Sequence, residues 1–198
     1  MLDGHRGTPK VGHLRRAIHQ CMQDSDVAES FRFRGHPLRL RELQANDRAR
    51  IEALLARIAA PDLQMRFFAA FRRVPPGLLD HLMQIDPTQR VTVVAVLGSS
   101  ADHANAEIIG VARAHRLEGA TAEAALLVRS DLKGQGLGSL LLRRLITRCR
   151  ERGISRLIAE VMRRNGRMLR LAQKYGFRYE SAGDVTCHLV LDLGAQLA

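Results

Sequence analysis

The chain has 198 residues, of which 46% are hydrophobic and 26% charged, and it carries a net charge of +11 at neutral pH. That length suits one domain with a full core, burying roughly 70% of its unfolded surface. No window holds the ~18 uninterrupted apolar residues of a membrane span. The opening MLDGHRGTPKVGHLRRAIHQ is polar and basic, without the apolar centre of a signal peptide, so the cytoplasm is the expected location.

Cys21, Cys149 and Cys187 are too few and too scattered for a disulfide framework or a zinc site, and no metal is implied. Cys149 falls on the apolar side of a helical pattern and reads as packing. Only Lys10, Lys133 and Lys174 among the 31 basic residues are lysines. Such an arginine bias fits a GC-rich genome, or a field that draws in an anionic ligand or partner. With six Phe, two Tyr and no Trp, the chain has little for base stacking, and its arginines are spread along the chain. Nucleic acid is not an expected partner.

Residues 1–30 carry His5, His13 and His19 among glycines and mixed charge, and read as a tail or accessory helix. The domain proper is expected over 31–198. FRFRGHPLRLREL alternates apolar and basic residues around Gly35–His36, as a hairpin or bent strand does. Asn46 or Asp47 is placed to cap a helix running to about Ala59, with Ile51, Leu54, Leu55 and Ile58 on one face. Pro61 restarts a helix containing LQMRFFAAF, and Pro75–Pro76 opens another over GLLDHLMQI. VTVVAVLG and EIIGVARAHRL read as strands, the second forming a hairpin with AEAALLV (Ala122–Val128). Leu137, Leu140, Leu141, Leu145 and Cys149 follow the helical period, and Gly153 ends that helix. RLIAEV is a strand, Asn165–Tyr175 a helix, and FRYES with VTCHLVLDL two closing strands. The order predicts an α/β or α+β protein with a mixed sheet.

LLVRSDLKGQGLGSLLLRRLI, from Leu126 to Ile146, sets Gly134, Gly136 and Gly138 between a strand and a helix start. That arrangement suits an anion held on main-chain N–H groups. A Walker A loop is excluded because the lysine precedes the glycines and Gly138 is followed by Ser139–Leu140. A dinucleotide fingerprint is excluded because its third glycine would be Ser139. The spacing that fits is [QR]-x-x-G-x-[GA], with Lys133 in the usual arginine place, then Gly136 and Gly138.

With AEAALLV before this loop, and a long helix, a strand and NGRMLRLAQKYGF after it, residues 37–193 resemble a GNAT-superfamily N-acetyltransferase. RFF (Arg66–Phe68), IIGVAR (Ile108–Arg113) and RRNGRMLRLAQKYGF are most similar to the catalytic domain of bacterial protein-lysine acetyltransferases. The resemblance implies a mixed, mostly antiparallel sheet of six to seven strands with helices on both faces. The sheet should splay between the fourth and fifth strands, Ala122–Val128 and Arg156–Val161.

The expected co-substrate is acetyl-CoA. Its diphosphate would lie on Lys133, Gly134, Gln135, Gly136, Leu137, Gly138 and Ser139, with Arg129 as a further source of charge. Its pantetheine arm would lie against Leu126, Leu127 and Val128. Asn165 would touch it too, although as residues alone Asn165 reads equally as a helix cap. Glu123 matches the place of a basic glutamate in several family members and is the expected general base, in a setting made apolar by Ala122, Ala124 and Ala125. His115 or Arg116 should lie across from it. Many members carry a tyrosine where this chain has Ala172, and Tyr175 is badly placed to replace it. The resemblance places Arg66–Phe68 on a helix bordering the acceptor cleft, where Phe67 and Phe68 read first as core and second as substrate contacts. Arg113 reads as either a structural ion pair or an acceptor-site residue. The acceptor is an amine, a protein lysine foremost. A small-molecule amine and a non-catalytic acyl-CoA-binding subunit are the alternatives. A homodimer is compatible with this reading, and no membrane is expected.

Overall fold

The computed structural model describes residues 30–69, 75–98 and 106–194. The expected tail or accessory helix of residues 1–30 lies outside them, apart from Ser30. Strands β1 (Ser30–Phe33), β2 (His36–Glu42), β3 (Arg90–Leu97), β4 (Glu107–Arg116), β5 (Thr121–Val128), β6 (Arg156–Met162), β7 (Arg178–Ala182) and β8 (Thr186–Asp192) form one sheet. Its order is β1-β2-β3-β4-β5-β6-β8-β7. The count is eight rather than six or seven because Phe31–Leu43 is a true hairpin, turning at Arg34 and Gly35 with φ of 51° and 83°. Two successive left-handed residues match the right-handed twist of paired strands.

The helices are α1 (Arg48–Ala56), α2 (Ala60–Phe67), α3 (Pro76–Met83), α4 (Leu137–Glu151) and α5 (Gly166–Lys174). They cover both faces. β3 reads as a continuous apolar run because each face of it is buried. Val91, Val93 and Ala95 pack with Leu141, Leu142, Leu145 and Cys149 of α4. Val94 and Val96 pack with Ile51, Leu54 and Leu55 of α1. Cys149 is wholly buried, and burial pushes its thiol up to about 12. It packs, as its helical position suggested, and is a poor nucleophile.

Every neighbouring pair of strands is antiparallel except β5–β6, and α4 is the crossover joining those two. Their ladder is short. Thr121, Ala122 and Glu123 face Arg156, Leu157 and Ile158, and pairing stops there. On its other side β5 pairs with β4 from Ala122 through Val128, setting His115 opposite Glu123 as expected.

Two buried polar groups tie the helices to the sheet. Asp47 stands at the N-cap of α1, but its carboxylate makes no cap hydrogen bond there. It accepts instead from Arg41 at 2.6 and 2.8 Å, from the Gln44 N–H at 2.9 Å and from Arg50 at 3.3 Å. The sequence expectation of a simple cap gives way because two arginines in reach offer a wholly buried carboxylate stronger, charge-assisted bonds. Burial alone raises the pKa of Asp47. The hydrogen bonds from Arg41 and Gln44 and the charges of Arg41 and Arg50 outweigh it and hold the carboxyl below 3.8. Among the described residues Arg113 has no carboxylate partner. It donates to Thr92 Oγ1 at 3.0 Å, to His81 O at 2.9 Å and to Leu82 O, clamping the last turn of α3 onto β4. Burial, then the charges of Arg90 and Arg66, lower its pKa to about 10. Arg113 is therefore a structural clamp made with carbonyls, not an ion pair.

Because the folded pKa of Asp47 lies below its unfolded value, its stabilisation is complete above about pH 4–5 and fades as pH falls through the folded value. Asp47→Asn should cost about 3 kcal/mol at pH 7 by stranding the half-buried Arg41 and Arg50 donors around a buried side chain, with the gap to wild type narrowing towards pH 2 in guanidinium titrations. Arg113→Met should lower stability by about 2 kcal/mol in the same titration, since Thr92 and two carbonyls lose their donors.

Candidate functional site

Past Ile158 the strands β5 and β6 diverge and leave a cleft of about 870 Å³. One wall is Glu123 to Val128 of β5, the other Ala159 to Val161 of β6. Main-chain groups of β5 that would bond β6 in a closed sheet face this gap instead. The loop before α4, the start of α5 and part of α2 complete the lining. Of the residues expected from sequence, Glu123, Leu126, Leu127, Val128, Lys133, Gly134, Gly136, Leu137, Gly138, Ser139 and Asn165 all line this one cleft. Gln135 does not. Its side chain turns away to accept from Arg34 Nε at 2.8 Å and donate to Asp131 O at 3.4 Å, tying the loop to the β1–β2 turn.

The glycines serve two distinct geometries. Gly136, the N-cap of α4, has a φ of 91°, which a side chain would strain, though the space around it is open. Gly138 has ordinary backbone angles, but a Cβ there would lie 3.2 Å from both Leu126 Cδ2 and Leu171 Cδ2. Its role is to let the first turn of α4 press between β5 and α5. No side chain caps α4. The N–H groups of Ser139 and Leu140 donate back to Gly136 O at 3.0 and 3.1 Å, and those of Leu137 and Gly138 precede any intrahelical acceptor. The loop therefore offers main-chain donors at a helix N-terminus.

Its charges are partly engaged already. Lys133 Nζ is 2.5 Å from Asp62 Oδ1 on α2. Burial raises the Asp62 carboxyl, but hydrogen bonds from Lys133 and Ser130 and the charges of Lys133 and Arg167 more than offset it and hold it below its usual value. Arg129, expected to add charge to the loop, does not line the cleft. It is buried and bound to Glu107 at 2.7 Å and Asp131 at 2.8 Å. Beside Lys133, the cations that do line the cleft are Arg66, on the helix expected to border it, and Arg164, Arg167, Arg170 and Lys174, which sequence reasoning had missed. Arg167, Arg170 and Lys174 fall at i, i+3 and i+7 on α5, a shared face that the helical period could have revealed.

Asn165 is the N-cap of α5, its Oδ1 accepting from Met168 N at 3.2 Å, and it lines the cleft as well. Ala172 is wholly buried. Tyr175 donates its hydroxyl to Ser139 O at 2.9 Å and meets Ser139 Oγ at 2.8 Å, pinning α5 to the first turn of α4. Neither of the two tyrosines, Tyr175 and Tyr179, lines the cleft. Glu123 sits at the closed end of the splay, its side chain exposed to the cleft and not enclosed by its alanine neighbours. Arg66 is close enough for the charge of Glu123 to act on it. Phe67 packs with the α1–α3 core, as its sequence position suggested, whereas Phe68 is exposed and borders the cleft.

Gly136→Ala should lower stability by about 1 kcal/mol in a denaturant titration, from left-handed backbone strain without a clash.

Residues 62–177 match the model of the acetyltransferase (GNAT) family. An acetyltransferase of Pseudomonas aeruginosa is 30% identical over 146 residues, 72% of this chain and 76% of its own length. The GNAT domain of S. lividans PAT superposes with a TM-score of 0.73 at 26% identity, covering 83% of this chain and 96% of that one. The structure of yncA from Salmonella typhimurium, solved with its cofactor acetyl-CoA, shares the fold with a TM-score of 0.62 at 18% identity, over 81% of this chain and 96% of its own.

Proposed function

Because this chain belongs to the GNAT family of acetyl-CoA-dependent N-acetyltransferases, we propose that it acetylates a protein lysine, with Glu123 as the base that takes the amine's proton. The observation that carries this reading is the position of Glu123. It occupies the last paired position of β5, where the splay opens, in the same cleft as the glycine loop.

The cleft fits the co-substrate. At its outer end the loop from Gly134 to Ser139 supplies main-chain donors for a diphosphate, and the N-terminus of α4 adds about 0.3–1 kcal/mol for an anion there. Arg164, Arg167, Arg170 and Lys174 supply further positive charge around the same cleft. Leu126 to Val128 offer unpaired strand groups to an extended amide-bearing arm. Asn165 spends its Oδ1 on the α5 cap, which leaves its Nδ2 donor for the cleft. Acetyl-CoA supplies the activated acyl group.

The chain's own task is the proton. A lysine with a pKa near 10.4 is unprotonated only about once in 10³ molecules at neutral pH, a cost of roughly 4 kcal/mol before attack. Glu123, exposed to the cleft, accepts that proton directly or through water. The amine nitrogen then bonds to the acyl carbon and the thiolate leaves. No tyrosine lines the cleft to protonate it, and a thiol with a pKa near 8.5 needs little help, so water serves. The likeness of Arg66–Phe68, Ile108–Arg113 and residues 163–177 to protein-lysine acetyltransferases supports a protein acceptor over a small amine.

Thiol release from acetyl-CoA, followed over a panel of proteins and small amines, tests the acceptor. Glu123→Gln should lower kcat by about 10²–10³-fold while calorimetry shows acetyl-CoA bound as in wild type. Unchanged turnover would remove Glu123 from the mechanism.

A further inference from the structure

Arg66 reaches the cleft from α2, on the same side as Glu123. Its guanidinium lies over the Phe67 ring at 4.7 Å, and among the described residues it has no hydrogen bond or ion pair. The nearby carboxylate on its own helix, Asp62, is taken by Lys133 and Ser130. Half-buried at the wall of the fold, Arg66 has its pKa lowered by lost hydration, and the charge of Glu123 only partly restores it. A guanidinium held by a ring and left without an acceptor is an arrangement that suits an anion brought from outside.

Its surroundings add to this. Strand register sets Arg90, His115 and Glu123 side by side across β3, β4 and β5. Arg90 Nε and His115 Nδ1 are buried without partners. Arg113 is one position further along the same face of β4, clamped to α3. Burial first, then the charges of Arg113, Arg90, Arg66 and His115, hold the His81 imidazole below its usual value. Around Glu123, therefore, the sheet face and the helices above it carry Arg66, Arg90, Arg113 and two histidines. Glu123 and, on β6, Glu160 are exposed carboxylates lining the cleft. An ammonium arriving alone is repelled by the surrounding cations, whereas one that brings a carboxylate with it offers them an acceptor.

We infer that Arg66 is the receptor for a carboxylate carried by the acceptor close to its amine, so that the enzyme selects amines with an adjacent acidic group. The inference rests on the transfer reading above. Two sources share that chemistry: a protein lysine flanked by Asp or Glu, and a free amino acid with its own carboxylate. Arg66 acts on acceptor choice, and its bidentate fork suits a carboxylate better than a point charge would.

The test is thiol release from acetyl-CoA with paired acceptors. One arm uses lysine peptides whose flanking residues are Asp/Glu in one set and Asn/Gln in the other. The second compares free lysine with its decarboxylated diamine. In at least one arm the acidic acceptor should be preferred by about tenfold or more in kcat/KM, mostly through KM. The arm that shows it identifies the source. Arg66→Gln should bring that ratio close to one, and Arg66→Lys should keep part of it, with acetyl-CoA calorimetry showing that each variant is folded. A wild-type ratio at or below one in both arms overturns the inference however the variants fold. A ratio that survives Arg66→Gln overturns the assignment to Arg66. If no acceptor turns over although acetyl-CoA binds, the transfer reading falls and this one with it; turnover without charge preference removes only this one.

Discussion

Pairing between β5 and β6 ends after three residues on each strand, and the working surface of the protein exists because of that break. A continued ladder would have satisfied the amides of Leu126 to Val128 and closed the sheet. Wedged against the break is the first turn of α4, with Gly138 fitted between Leu126 and Leu171. The hydroxyl of Tyr175 holds that turn from the other side through Ser139. Cleft, glycine loop and strand amides are thus consequences of one packing arrangement. Strand groups left unpaired along such a break call for hydrogen-bond partners from water or a ligand.

Charge then divides the cleft into two ends. Near the loop, main-chain donors at the start of α4 share the cleft with the cations of α5. Near Glu123, arginines and histidines from β3, β4, α2 and α3 gather around an exposed carboxylate. Some of these cations are structural. Arg113 spends its donors on Thr92 and the end of α3, and Arg129 spends its own on Glu107 and Asp131. Arg66 is different, because its only described partner is a ring. The same residue type stands in two different settings within one fold, and only the partner atoms tell them apart.

Much of the architecture was legible in the chain. Prolines at 61 and 76, glycines at 35, 136 and 153, and the shift from alternating to helical periodicity marked nearly every element. Where reading and structure part, the reasons are physical. Asp47 looks like a cap in a local window, but Arg41 lies on a strand brought beside it and takes the carboxylate. Gln135 belongs to the loop motif, yet Arg34 draws it out of the cleft. The alanines around Glu123 predicted an apolar setting, while the splay itself opens that side chain to the cleft.

Sequence by itself determined the element types, the strand–loop–helix with its glycines, and the glutamate on the strand before it. All of these depend on contacts within a few residues or on a motif whose spacing is local. Tertiary structure alone decided that β8 lies between β6 and β7, that the expected splay of β5 from β6 begins after Glu123 and Ile158, and that Arg167, Arg170 and Lys174 of α5 line the cleft it opens. Such juxtapositions are set by how helices pack on the two faces of a sheet. No periodicity in the chain encodes them, because the partners that satisfy or strand a charge come from distant strands and helices.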